Sequence, residues 1–333
     1  MASDEAFATV IARLRDTSAP VPTASLYHLS DLAPNEQATL EAAWLEMSTE
    51  RRQAILQDLH EISEANFEVS FDSVFRLALD DDSPEVRAVA IRALWESEDP
   101  TLMAPFINFM LHDTDPLVRA AAASALGRYV YLGELEEIPQ AQMQRVESAL
   151  LDVIHGDDEL EVRRRALEAL AFSSRPEVSE LISEAYQSDE AQMRVSAIFA
   201  MGRTADAEWE PQVRTELESP EPEMRFEAAR AAGELELTDL GPRLAELVND
   251  PDQQVSEAAI WSLGQVGGDF ARETLTQLLE QAPDDDTHDF IEEALDNLDY
   301  TDEVQAFSLL DIEPGEIDDL DLDEDDPDGD EPE

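Results

Sequence analysis

The sequence predicts an all-α solenoid of about seven helical hairpins, with a helical N-terminal segment before it and an acidic tail after it. Three observations predict this. First, the phrase Pro84-Glu85-Val86-Arg87 returns, mostly at intervals near 31 residues, with anchors at Val86, Val118, Val162, Met193, Met224, Val255 and Phe290. A fixed period of that size marks a stacked-repeat architecture. Second, each anchor is followed by an alanine four residues on and usually a large apolar residue eight on, as in Val86/Ala90/Leu94 and Val118/Ala122/Leu126. Side chains at i, i+4 and i+8 share one helical face. Third, a second apolar segment of helical length lies upstream of each anchor, joined to it by a turn such as Asp80-Asp81-Asp82-Ser83-Pro84. Two helices and two short turns fill the period.

Residues 1–66 lack the phrase. Pro34–Met47 and Thr49–Ile62 read as a helical hairpin with Ser48 as N-cap, expected to cover the open end of the stack. Residues 67–299 hold the seven hairpins. In each, the anchor opens helix B and the upstream segment is helix A. Proline at the first helical position and Ser83 or Asp115 before it are helix-start signals. Alanine at the fifth position of B lets neighbouring helices approach. Gly127, Gly202, Gly233 and Gly264 are expected to end four B helices in the left-handed conformation. The 44-residue spacing from Val118 to Val162 contains an insert near Tyr129–Gln142. It is expected either to lengthen helix B or to shape a binding face. Residues 300–333 carry 16 acids and no base, threaded with Phe307, Leu309, Leu310 and Ile312. Such a tail is expected to lack a core of its own, and its alternating acids and apolar residues suit a segment that docks, in cis on the solenoid or on a partner.

These residues resemble HEAT repeats of the short type found in phycobilin lyase subunits: the Asp/Pro-x-Val-Arg start, the alanine and the Leu-Gly end. The resemblance covers about two thirds of the chain and implies an α-solenoid. It also implies that Arg87, Arg119, Arg163, Arg194 and Arg225 bond to neighbouring turns as a stacking ladder. It leaves function open, since one fold hosts many roles.

The chain carries 79 acidic and 21 basic residues, for a net charge of −58, and every basic residue is arginine. That field repels phosphate backbones and anionic membranes, so neither nucleic acid nor membrane is an expected partner. Cysteine is absent, excluding disulfides, thiol nucleophiles and zinc-thiolate sites. The acidic start and the lack of a long apolar run point to a cytoplasmic protein. The five histidines are scattered. His60-Glu61 is a single His-Glu pair, whereas deoxyhypusine hydroxylase, a HEAT-repeat metalloenzyme, needs several. No catalytic residue, cofactor or metal is expected.

A protein-binding scaffold or adaptor that uses the helix-B face is the expected function. The alternatives are a subunit of a chromophore lyase or other protein-modifying enzyme, and an acidic nucleic-acid mimic or chaperone for basic proteins. Numbering each B helix from its anchor as position 1, position 7 varies in type and is expected to be solvated. Phe199, Arg230 and Trp261 occupy it in consecutive repeats, with Phe226 one turn before Arg230. Aromatics beside arginine are typical hot spots, although the same rings would also suit inter-repeat packing. Arg92, Trp95 and Arg164, with Arg165, form a second candidate group.

Overall fold

A computed structural model describes residues 2–308, and side chains from Phe7 to Thr301. The described residues are helical and contain no strand. The N-terminal segment forms α1 (Ala2–Arg15), the short α2 (Thr23–Leu26), α3 (Pro34–Trp44) and α4 (Thr49–Ala65). The hairpins follow. The first four are α5 (Asp72–Ala78) with α6 (Pro84–Ala93), α7 (Met103–His112) with α8 (Pro116–Glu134), α9 (Gln140–His155) with α10 (Leu160–Leu170), and α11 (Pro176–Tyr186) with α12 (Ala191–Arg203). The last three are α13 (Glu210–Glu216) with α14 (Pro222–Glu234), α15 (Gly241–Leu247) with α16 (Gln253–Val266), and α17 (Gly268–Leu279) with α18 (Asp285–Ser308). The last helix passes the expected boundary at residue 299; residues 309–333, with most of the acidic tail and its proposed cis contact, lie outside the described residues. Two compact units result, Met1–Ala231 and Ala232–Glu333.

The stripe decides burial. Ala90, Ala122, Ala166, Ala197, Ala228 and Ala259 at position 5 are wholly buried, as are Val86, Val118, Val162 and Val255 at position 1. In the first unit the B helices pack in sequence, α6 on α8, α8 on α10 and α10 on α12. In the second, α16 packs on α18. The starts at Ser48, Ser83 and Asp115 are capped as read from the sequence, each accepting a backbone N–H of the following first turn, and Asp252 does the same before α16. The insert is absorbed by helix. It lengthens α8 and α9 and buries Tyr129, whose hydroxyl donates to the Asp99 carbonyl at 3.0 Å.

The glycines differ from expectation. Gly127, Gly202, Gly233 and Gly264 lie inside their helices, and the left-handed glycines among the described residues are Gly267 and Gly268. What three of them supply is close approach between helices. A Cβ on Gly127 would meet the Ala169 backbone at 3.1 Å, one on Gly233 would meet the Ser262 backbone at 3.0 Å, and one on Gly264 would meet the Ala294 carbonyl oxygen at 2.5 Å. The left-handed C-terminal positions fall instead to Glu136 (φ 60°) after α8 and Glu236 (φ 50°) after α14. Each closes a paired reverse turn: Glu136 and Glu137 donate to Gly133 and Leu132, and Glu236 and Leu237 to Gly233 and Ala232.

The arginine ladder is present in the first unit at four of the five expected arginines; Arg163 departs from it, with its Nε buried and lacking a hydrogen-bond partner. Arg87, Arg119, Arg194 and Arg225 each donate to the carbonyl six residues earlier, at 2.8–3.0 Å. Arg87 also grips Asp113 of the next A–B turn with two bonds of 2.9 and 3.0 Å, and Arg119 grips Asp158. Burial pushes the Asp158 carboxyl upward, but the Arg119 hydrogen bonds and the Glu159 N–H outweigh this and hold it below its ordinary value. The ladder begins earlier than the repeat phrase indicates. Buried Arg52 on α4 pairs with Asp81 at 2.8 Å, and Trp44 donates to the same carboxylate at 2.7 Å. Arg52, Leu56 and Leu59 on α4 thus stand in the register of Arg87, Ile91 and Leu94, and α4 packs on α6 like a further B helix. Arg51 then caps α1, donating to the carbonyls of Arg13, Leu14 and Asp16. In the second unit Ser256 stands at the arginine position and donates to the Val248 carbonyl at 2.6 Å.

Candidate docking groove on the B-helix face

Position 7 of a B helix lies beside the buried stripe, and position 11 is one turn further along the same face. In the first unit position 7 is Ser124 on α8, Glu168 on α10 and Phe199 on α12; position 11 is Arg128, Phe172 and Arg203. These six side chains line one groove of about 530 Å³, with Trp95, Tyr131 and Arg165 at its edges. Its floor is Gly127 and Ala169. The groove exists because these two residues are small: α8 and α10 meet backbone to side chain, leaving room above them between larger neighbours.

The walls are aromatic and cationic. Tyr131 and Phe172 meet edge to face, with ring centroids 5.7 Å apart. The Arg128 guanidinium lies 5.5 Å from the Tyr131 ring centre, and Arg203 lies 4.9 Å from that of Phe199 and 5.6 Å from that of Phe172. Arg128 pairs with Glu98, and Arg165 pairs with Glu161 and Glu168 at 2.8 and 2.7 Å. Trp95 is 50% exposed and Tyr131 40%, high values for such large rings.

The sequence-derived candidates divide. Phe199 and Trp95 line the groove. Arg92 is exposed on α6 but does not line it. Arg164 is a correction. It is buried, donates to Ser196 at 2.9 Å and pairs with Glu161 at 2.7 Å, so it joins α10 to α12 and presents no binding surface. Arg165, 100° further around the helix, carries the accessible charge. Phe226 and Arg230 are half-buried on α14 and lie outside the groove lining. Trp261 belongs to the second unit. There, with Gln265 and Phe290, it lines a smaller hollow of about 350 Å³ edged by Glu293 and Asp296. Phe290, an anchor expected to be buried, is half-exposed in it. Missed by the sequence reading were Arg128, Phe172 and Arg203, which counting one turn beyond position 7 finds; Tyr131 belongs to the insert expected to lengthen helix B or to shape a binding face, and the lengthened α8 brings it to the groove.

A second, more polar cleft of about 850 Å³ lies at the turn between α8 and α9, lined by Glu134, Glu136, Gln140, Gln144 and Glu147. Glu147 is buried there, accepts from the Ser173 hydroxyl and lies 3.6 Å from Arg175. No helix among the described residues is long and apolar enough to cross a membrane.

The family model for HEAT repeats matches residues 72–143 and 210–298. The hairpins between these stretches, α9/α10 and α11/α12, carry the same anchors at Val162 and Met193. No curated protein matches the chain. Among solved structures the chain is similar to the CpcE–CpcF complex of phycocyanin lyase from Nostoc sp. PCC7120, at 19% identity, covering 68% of this chain and 94% of that one, with a TM-score of 0.45. It is also similar to YibA of Escherichia coli, at 19% identity over 72% and 96% of the chains with a TM-score of 0.42. Human deoxyhypusine hydroxylase is similar at 20% identity over 80% and 97%, with a TM-score of 0.35.

Proposed function

We propose that this chain, a HEAT-repeat protein, is a non-catalytic scaffold or adaptor that docks a protein partner in the groove across α8, α10 and α12. The observation that carries the reading is the convergence of Trp95, Tyr131, Phe172 and Phe199 with three arginines on one face. A packed core gains nothing by leaving Trp95 and Tyr131 half in water, and exposed aromatic patches rimmed by charge are characteristic of interaction surfaces. The small floor gives an incoming side chain a place to bury. The arginines give it orientation.

Affinity capture on the full chain tests this. A stoichiometric protein partner is expected on the wild type and not on the double variant Trp95→Ala, Phe199→Ala. Each ring at the centre of an interface contributes about 2 kcal/mol, on the order of 30-fold in Kd. Circular dichroism and thermal unfolding provide the folding control. A folded double variant that retains the partner at wild-type affinity refutes the groove as the docking site.

A further inference from the structure

We infer that the polar cleft at the turn between α8 and α9 is a second binding site, for a primary alkylammonium group, the chemistry shared by lysine side chains and free polyamines. No residue lines both this cleft and the groove, so the two sites stand apart. The cleft is a product of the insert between the Val118 and Val162 anchors. Glu134, Glu136, Ile138 and Gln140 of that insert form one wall. Glu147 on α9 and the turn from α10 to α11, at Ser174 and Arg175, form the other.

Glu147 marks the site. It is 2% exposed, and a buried carboxylate is costly unless hydrogen bonds and opposite charge compensate it. Its Oε1 accepts from the Ser173 hydroxyl, which itself accepts from the Arg175 N–H at 3.2 Å. One oxygen thus holds the turn, and the neutral carbonyl of a glutamine would hold it as well. Oε2 accepts no hydrogen bond among the described residues. Arg175 stands 3.6 Å from it, outside hydrogen-bonding range, and donates instead to Glu177 at 2.9 Å. A buried charge with an open oxygen on a cleft wall is an acceptor awaiting a donor.

The local balance selects a cation. Glu134, Glu136 and Glu147 line the cleft against Arg175, whose guanidinium Glu147 shares with Glu177. Glu134 accepts from the Ser174 N–H, and neither it nor Glu136 has an ion pair among the described residues. The single open oxygen selects ammonium over guanidinium. Arginine gains most by gripping both oxygens of a carboxylate, and Oε1 is taken. An ammonium is a point charge with three donors; one meets Oε2, and Glu134, Gln144 and Ser148 offer further acceptors in the same lining. The exposed edges of Ile138 and Met143, otherwise buried, give the methylene stem an apolar surface.

Isothermal titration calorimetry on the full chain at physiological salt tests this. The probes are the end-blocked peptide Gly-Ala-Lys-Ala-Gly, its norleucine and arginine versions, and 1,5-diaminopentane. The lysine peptide is expected to bind on the order of tenfold more tightly than the norleucine and arginine versions. That preference should vanish in Glu147→Gln and in the double variant Glu134→Gln, Glu136→Gln. It should persist in Glu137→Gln, which removes an exposed charge beside the cleft but outside its lining. Circular dichroism checks the fold; if Glu147→Gln does not fold, the double variant decides. A peptide that binds at least as tightly as the diamine assigns the site to a partner's lysine, and binding of the diamine alone assigns it to a free polyamine; both uphold the ammonium site. Unchanged binding in folded variants shows attraction by the acidic surface at large and overturns the inference, as does the absence of binding by every probe. An arginine peptide that binds as tightly as the lysine peptide overturns the selection of ammonium.

Discussion

Gly264→Ala separates two accounts of the helix-B glycines with opposite signs. As a helical residue with φ in the ordinary range, Gly264 should be improved by alanine, since glycine in a helix costs about 0.5–1 kcal/mol relative to alanine. The structure predicts the reverse. The added Cβ would stand 2.5 Å from the Ala294 carbonyl oxygen and 3.2 Å from both its carbonyl carbon and its Cα. All three atoms are backbone, so no rotamer change relieves the clash. Restoring ordinary contact requires α16 and α18 to separate by several tenths of an ångström. That opens the packing around Leu263 and Leu298, which are completely buried. Overpacking of this kind costs about 1–3 kcal/mol. Set against the propensity gain, a net loss of about 1–2 kcal/mol is expected, or a few degrees in Tm. The control is Gly241→Ala in the same unit, where the new Cβ would touch the Phe270 ring at an ordinary 3.8 Å; its cost is confined to holding an alanine in the αR conformation before Pro242 and should be smaller than at Gly264. Thermal and urea unfolding followed at the helical circular dichroism band measure both. A Gly264→Ala protein as stable as wild type, or more so, refutes the close-approach account.

Two further outcomes follow from the backbone and the ladder. Glu136→Gly should stabilise the chain by about 1 kcal/mol, because glycine takes the left-handed φ of 60° without strain; a lower urea midpoint would contradict this. Asp158→Asn removes the charge gripped by Arg119 and should cost about 1–2 kcal/mol at neutral pH. The folded-state pKa of Asp158 is depressed, so its contribution is complete above the ordinary carboxylate value of about 3.9 and is lost as pH falls through the lower folded value. Wild-type and variant stabilities should therefore converge below about pH 4, and a difference that persists in stronger acid would show that Asp158 acts otherwise.

Local regularity determined much of this protein from its sequence alone. The stripe at positions 1, 5 and 9 specifies the buried face of each B helix, because helical periodicity is a property of one segment and needs no neighbour. The wholly buried alanines at position 5 and the capped starts at Ser83 and Asp115 follow from it. The resemblance to HEAT repeats implied the arginine ladder, and four of its five arginines bond the turn before their helix. Distances between helices were not legible. Position 7 lies on the face that carries the groove, but which of its residues meet there depends on spacing and rotation across repeats. Phe199 and Trp95 entered the groove, Phe226 and Arg230 did not, and Trp261 lines a separate hollow. Arg164 and Arg165 are adjacent in sequence yet differ by 100° around α10, enough to bury one against Ser196 and leave the other at the rim. The glycines carried the same ambiguity: a residue without a side chain serves a turn or a close contact equally well. The 3.1 Å between a Cβ on Gly127 and the Ala169 backbone assigns the contact. That contact also opens the groove, because the tertiary packing of two helices decides where small residues leave space.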